Sequence, residues 1–372
     1  MDKRILFVVG GSFVYGTEVN MLHCMAGLRD KGWQVHCVVN GWNDGDFVSR
    51  LEQEHIPYSV LYLGFFYIRK PLWTLDTLRR LPGALIGFSR ILKTFRPHIV
   101  FHVTPRTIMT LYPLLREVRT CLRAQEVHPI SMMNRILFQT AGRRASKILA
   151  VSQSVKRNLV NLGIAEDKIY VVHNGLTFSK RACWNRSDSS DVIRIGVVGR
   201  ISPLKGQKLV IEAMRLLALE QFELTCIFAG SGEESYVREL KDLAKAYGLD
   251  GKIQWRGYIK DPIVVYEDLD ILVIPSLTEA FGMVALEGAL CGLPVVASRI
   301  DGLAEIIEND STGILFNAGD SGDLAGKIKV LAMNPDLRAR LARAGNEHAR
   351  LHFSQEKMVE NTDRELMLLL AR

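Results

Sequence analysis

The sequence predicts an α/β protein of two domains, each a parallel sheet covered by helices on both faces. Three observations carry this. Short apolar runs alternate with helical stretches along the chain, the pattern of repeated βαβ units. The alternation halts at a polar stretch, Ser187-Asp188-Ser189-Ser190-Asp191, and begins afresh at Val192. With 372 residues, 48% of them hydrophobic, the chain is long enough for two separate cores.

In the first half, residues 4–9 read as the first strand, apolar from Ile5 to Val9. Gly10, Gly11 and Gly16 follow, then a helix to about Asp30 with Met21, Leu22, Cys24, Met25 and Leu28 at helical spacing. Glycines ahead of a helix suit a phosphate or substrate cradle, or a simple tight turn; the pattern is not G-x-G-x-x-G. Further strands are predicted at 34–39, 58–63, 98–102, 121–127, 147–151 and 168–172, the last running into His173-Asn174-Gly175. After residues 65–73 comes a helical stretch to Phe95, which Pro82 and Gly83 are expected to interrupt. From Arg69 to Arg96 there are seven Lys or Arg and one acid, Asp76, interleaved with Leu, Ile and Phe. That composition fits an interfacial membrane helix and equally a sheet-covering helix with a solvated basic face.

The second half opens with a strand at 192–198, then Gly199-Arg200-Ile201-Ser202-Pro203-Leu204-Lys205-Gly206 and a helix to about Leu219. Strands at 223–229, 252–255, 270–274, 295–297 and 313–316 follow, with closing helices at 320–333, 335–351 and from Ser354. Residues 177–191 read as a linker. The domains are then 1–176 and 192–352, with a terminal segment 353–372.

Composition narrows the function classes. No run of eighteen apolar residues predicts a membrane span, and residues 1–9 lack the features of a signal peptide. Cys24, Cys37, Cys121, Cys183, Cys226 and Cys291 are scattered without a C-x-x-C, as expected for reduced core thiols in a cytoplasmic protein rather than a zinc site. The net charge of +7 is uneven. Residues 1–176 hold 23 Lys and Arg against 12 Asp and Glu, leaving 24 against 28 for the rest. The basic half suggests an anionic membrane surface or acceptor; without a recognised motif, nucleic acid is not an expected partner.

The stretch 275–307 concentrates the chemistry. The apolar strand ends at Pro275, and a helix is predicted from 281 to 290, stopped by Gly292 and Pro294. Glu279 lies at the strand's carboxyl end, where open parallel sheets bind ligands, and Glu287 lies within the helix. Between them, Phe281, Gly282 and Met283 offer backbone N–H groups where a helix dipole favours an anion. Asp268-Leu269-Asp270 spells D-x-D, but it runs into the buried strand, where Asp270 is expected to fix a turn rather than hold a metal.

Seven motifs in order, A-V-S-Q-S-V-K-R-N-L (150–159), V-V-H-N-G (171–175), V-G-R-I-S-P-L-K-G (198–206), F-A-G-S-G-E-E (228–234), W-R-G-Y-I (255–259), D-L-D-I-L-V-I-P-S (268–276) and E-A-F-G-M-V-A-L-E-G (279–288), resemble glycosyltransferase family 4. The resemblance covers nearly the whole chain. It implies the GT-B fold, two Rossmann-like domains facing across a cleft, with the C-terminal helix crossing back to the first. It also implies retaining, metal-independent sugar transfer from a UDP-, GDP- or ADP-sugar, without a cofactor, to a glycan or lipid-linked acceptor. Such chemistry belongs to cell-surface polysaccharide or lipopolysaccharide synthesis, in the cytoplasm or on the inner membrane face. A small soluble acceptor, or nucleotide-sugar binding without catalysis, are the alternatives.

By that resemblance Arg200 and Lys205, beside Gly199, clamp the leaving diphosphate. Glu279 holds donor-sugar hydroxyls, Glu287 the ribose hydroxyls, the amides of Phe281, Gly282 and Met283 the phosphate, and the backbone of Tyr258 and Ile259 the base. The departing phosphate would help deprotonate the acceptor, so no carboxylate nucleophile is required. Gly11, Gly16 and Thr17 would form the acceptor loop, where Tyr15 replaces the first glycine of a Gly-Gly-x-Glu motif. The family's histidine near the fifth strand maps to His128, with His102 behind it.

Overall fold

The computed structural model describes residues 2–11, 16–64, 71–177 and 192–371. The expected linker beyond Thr177, Tyr15, Arg69, Lys70 and Cys183 lie outside these described residues. The chain divides into two compact units, one formed by residues 1–175 with 355–372 and the other by 176–354.

Unit 1 alternates β1 (Lys3–Val9), α1 (Gly16–Asp30), β2 (Trp33–Asn40), α2 (Asp46–Gln53), β3 (Tyr58–Leu61), α3 (Pro71–Phe95), β4 (Ile99–His102), α4 (Pro105–Leu111), β5 (Arg119–Ala124), α5 (Met132–Arg144), β6 (Lys147–Ala150), α6 (Gln153–Asn161) and β7 (Ile169–Val171). The sheet order is β3-β2-β1-β4-β5-β6-β7, and every pairing is parallel. The strands are apolar on both sides because helices cover both faces; Ile5, Phe7, Ile99 and Phe101 are wholly buried. The steps β3 to β4, β4 to β5 and β5 to β6 run the same way across the sheet. Right-handed crossovers therefore put α3, α4 and α5 on one face.

Two sequence expectations change here. The fifth strand stops at Ala124 rather than 127, because its last rung pairs Ala124 with Ala150 and the neighbouring strand ends there. Helix α3 runs unbroken through Pro82. Proline removes the hydrogen bond to the carbonyl four residues back; that residue, Leu78, is on the exposed side, where water can satisfy its carbonyl.

Unit 2 contains β8 (Ile193–Val198), α7 (Gln207–Leu219), β9 (Leu224–Ala229), α8 (Glu234–Ala246), β10 (Ile253–Gly257), α9 (Ile263–Tyr266), β11 (Ile271–Ile274), α10 (Met283–Leu290), β12 (Val295–Ser298), α11 (Asp301–Ala304), β13 (Ile314–Phe316), α12 (Ser321–Ala332) and α13 (Pro335–His352). Its order is β10-β9-β8-β11-β12-β13, again parallel throughout. The caps follow the residue chemistry: Asp320 and Asn334 accept from backbone N–H groups at the starts of α12 and α13, and Pro335 takes the first helical position.

The last helix, α14 (Gln355–Ala371), belongs to unit 1. Its Met358, Val359, Leu366 and Leu369 join the core of β1, β2 and α1, each buried side chain contributing about 1.5–3 kcal/mol. Contact is close at Gly27, where a Cβ would stand 2.5 Å from Val359. Polar ties fix the register: the Trp33 indole donates to Asp363 at 2.7 Å, and Lys147 Nζ reaches Glu365 Oε2 at 2.6 Å.

Candidate functional site

Strands β8 and β11 lie side by side, Ile271 opposite Ile195 and Leu272 opposite Gly196. The chain leaves them in opposite directions across the sheet, β8 toward β9 and β11 toward β12. Ligands of open α/β sheets sit outside the carboxyl ends of strands at such a switch point. The loops 199–206 and 275–282 leave the two strands at that edge.

The loops are locked together by backbone. Leu277 N–H donates to the Leu204 carbonyl at 2.8 Å. Gly206 adopts φ +71°, and a Cβ there would stand 2.0 Å from the Pro275 oxygen. Only glycine permits this approach, and it brings the single turn Pro203–Lys205 onto the end of β11. Lys205 Nζ then meets Glu279 Oε2 at 2.5 Å, across 74 residues of sequence. The Ser276 hydroxyl points to the same oxygen from 3.4 Å. Arg200 is exposed. Its carbonyl accepts from Gln207 Nε2 at 2.9 Å, while Gln207 Oε1 accepts from Ser202 N–H at 3.3 Å. Gln207 is buried, so the loop bearing Arg200 is clipped to the first turn of α7. Gly199 begins this loop, its N–H bonded to the Ala229 carbonyl at 2.9 Å. Tyr258 and Ile259 follow β10, whose end is tied inward by Gly230 N–H donating to Gly257 at 2.7 Å; the Tyr258 side chain is mostly exposed.

Helix α10 starts at Met283 rather than 281, because Gly282 caps it at φ +107°, outside the helical region. Phe281 and Gly282 therefore form the turn ahead of the helix. Phe281 is buried edge-on to Phe353, with ring centroids 5.6 Å apart. Glu279 lies before the cap and Glu287 in the second turn, where its carboxylate accepts from the Tyr266 hydroxyl at 2.6 Å. Burial raises the Glu287 pKa, and the Tyr266 hydrogen bond opposes that rise. The two acids of D-x-D are held by different arginines, Asp268 by Arg256 and Asp270 by Arg194. Asp270 also accepts from the Arg194 N–H at 2.8 Å, so it joins β8 to β11 rather than closing a local turn.

The remaining candidates lie in unit 1. Gly11 packs against Glu18, whose Oε1 would be 2.5 Å from a Cβ there, while Gly16 and Thr17 open α1. His102 ends β4, fully buried, with Nδ1 2.8 Å from the Thr107 hydroxyl; burial drives its pKa down to about 3. His128 lies in the loop after β5. Asn158 brackets its backbone at 2.9 Å on both N–H and C=O, and its ring packs at a tilt against Phe138, centroids 4.8 Å apart. Burial lowers its pKa, with Glu126 opposing and Arg106 adding to the shift.

Sequence reading missed Gln207, Ser276 and Tyr266. Ser276 was legible as a polar residue directly after a buried strand. The other two act through tertiary contacts that no spacing announces.

Residues 185–348 match the family Glycosyl transferases group 1, and residues 14–180 match Glycosyltransferase Family 4. Each match covers a little under half of the chain, and together they span most of it. A D-inositol 3-phosphate glycosyltransferase from Saccharomonospora viridis is 34% identical over 170 residues, 43% of this chain and 39% of that protein. The capsular polysaccharide biosynthesis glycosyltransferase CapM of Staphylococcus aureus is 26% identical over 59% of this chain and 60% of CapM. The matches to the Saccharomonospora protein and an Arthrobacter relative span about two-fifths of their lengths, 39% and 37%. The crystal structure of Anabaena HepE in complex with UDP superposes with a TM-score of 0.83 at 21% identity, over 98% of this chain and 99% of HepE. The likeness to HepE agrees with two Rossmann-like, parallel-sheet domains of the GT-B type.

Proposed function

We propose that this chain is a glycosyltransferase, moving a sugar, with retention and without a metal, from a nucleotide-diphosphate sugar to a glycan or lipid-linked acceptor. The observation that carries the reading is the meeting of Lys205 and Glu279 at the switch point, beside Arg200 and the amino end of α10. Two cations at this edge suit a leaving diphosphate, whose developing charge needs donors held in place before reaction. They supply the positive charge that a metal ion brings elsewhere. Glu279 would hold the donor sugar, and Glu287, acceptor-only when ionised, the ribose diol. HepE was crystallised with UDP and with UDP-glucose, which favours a uridine nucleotide; CapM's name favours polysaccharide synthesis. A thermal-shift series with UDP, GDP, ADP and their sugars tests the reading. One nucleotide is expected to raise the midpoint by linkage, and Lys205→Ala to abolish the rise. A flat response to every nucleotide would overturn it.

A lipid-linked acceptor at an anionic membrane surface is favoured by one further feature. The outer face of α3 exposes Leu72, Leu75, Leu78 and Ile86 among Arg79 and Arg90, and the start of α5 exposes Met132, Met133 and Ile136. Among the described residues no helix is long and apolar enough to cross a membrane, so attachment would be interfacial. Arg79→Ala combined with Arg90→Ala and Leu75→Ser is expected to cut flotation with vesicles of anionic phospholipid at least roughly fivefold, at about 1 kcal/mol per basic residue. Equal flotation of the variant would favour a soluble acceptor instead.

A further inference from the structure

We infer that Tyr266 is a positioning residue for nucleotide binding, acting through Glu287: its hydroxyl fixes the carboxylate that receives the ribose. The inference rests on the reading of Glu287 given above and adds a residue to it. Tyr266 ends the short turn α9, shaped by Asp261, whose carboxylate accepts from Ile263 N–H at 3.1 Å. Val265 and Tyr266 are driven inward, Tyr266 to 1% exposure. A phenol buried this completely needs a hydrogen-bond partner. It finds Glu287 Oε2 at 2.6 Å, within the 2.5–2.7 Å range of a hydroxyl donating to an ionised carboxylate.

The arrangement divides the carboxylate's work. Oε2 is held by the phenol, while among the described residues no donor is bonded to Oε1. Without Tyr266, a half-buried carboxylate on α10 would have to be oriented by its own rotamer preference, and ligand binding would bear that ordering cost. The titratable surroundings are sparse. Cys291 follows one turn along the same chain segment, and α13 presents the Asn346 amide to the Ala289 and Leu290 carbonyls. Strand β11 beneath is wholly apolar. The phenol is thus the neighbouring group that favours the charged form, against burial that disfavours it. Burial and Glu287 itself hold the Tyr266 pKa well above its usual value, so the phenol stays a donor at neutral pH.

The pH consequence has a definite sign. Glu287 accepts ribose hydroxyls best when ionised, so nucleotide affinity falls as pH drops through its raised pKa. Removing the phenol's hydrogen bond raises that pKa further, and the acidic limb moves to higher pH. The test is calorimetric titration with whichever of UDP, GDP or ADP protects the wild type best, across pH, for wild type, Tyr266→Phe, Glu287→Gln and the double variant. Tyr266→Phe keeps the ring and is expected to weaken affinity roughly tenfold, the loss of one hydrogen bond to a charged group. Its acidic limb should shift upward, with kcat at saturating donor within about twofold. On the Glu287→Gln background the same change should add less than about twofold, since the partner is already neutralised. A purely structural tyrosine would lower the thermal midpoint, leave the limb in place, and give additive losses; that result, or unchanged affinity, overturns the inference. A wild type that binds no nucleotide would instead overturn the donor-site reading itself, and this inference with it.

Discussion

Lys205→Ala is expected to slow sugar transfer by about two to three orders of magnitude, the loss seen when one preorganised donor to a developing charge is removed. Preorganisation is the central point. The ammonium rides on a single turn docked through Gly206 onto Pro275 and through Leu277 N–H onto Leu204, so it is held in place before the donor arrives. Its pair with Glu279 is partly solvated, the two side chains being 28% and 17% exposed. Such a pair stabilises little, and the thermal midpoint of the variant should stay within about 2 °C of wild type. Arg200→Ala should behave alike, because Arg200 is exposed and only its backbone is clipped by Gln207. Initial rates at saturating donor, with midpoints measured in parallel, check both. A Lys205→Ala rate within about threefold of wild type would show that the diphosphate is stabilised elsewhere.

Glu365→Ala is expected to be the most damaging change to stability among the described polar contacts. Lys147 is 1% exposed and its ammonium also donates to the Glu365 carbonyl at 2.9 Å, lying 4.2 Å over the Tyr170 ring. Removing the carboxylate strands a buried cation, which costs about 3–5 kcal/mol. At about 2–4 °C per kcal/mol for a domain of this size, the midpoint should fall by on the order of 10 °C. The double variant Lys147→Met with Glu365→Ala should recover most of the loss, since buried pairs are often no better than apolar packing. Calorimetry of the three proteins decides it: a single variant within about 2 °C of wild type would mean water reaches the lysine. Because the pair joins β6 to α14, the same experiment measures how firmly the last helix is held to unit 1.

The strands were legible because each is a short apolar run bounded by turn residues, and their positions shift by only a residue or two at most ends. The exceptions have local causes. Gln125 to Val127 read as strand, yet β6 offers no further rung to pair with them. Pro82 read as a break, yet Leu78, whose carbonyl it leaves without its helical partner, lies on the exposed side of α3. At the site, Arg200, Lys205, Glu279 and Glu287 stood out as charged residues at strand ends and in the helix that follows. What the sequence could not express is which of them meet. The separations of 74 positions from Lys205 to Glu279 and of 21 from Tyr266 to Glu287 are closed only by the adjacency of β8 with β11 and by the fold that brings the end of α9 to α10. Tyr266 in V-V-Y-E-D looks like an ordinary apolar helix end, and Gln207 like a solvated first-turn residue.

A crystal structure of the protein soaked with UDP tests the central claim most directly. The account expects the diphosphate against Arg200, Lys205 and the amides of residues 281–283, with the ribose on Glu287. Nucleotide bound elsewhere, with that edge of unit 2 unoccupied at saturating ligand, would contradict it.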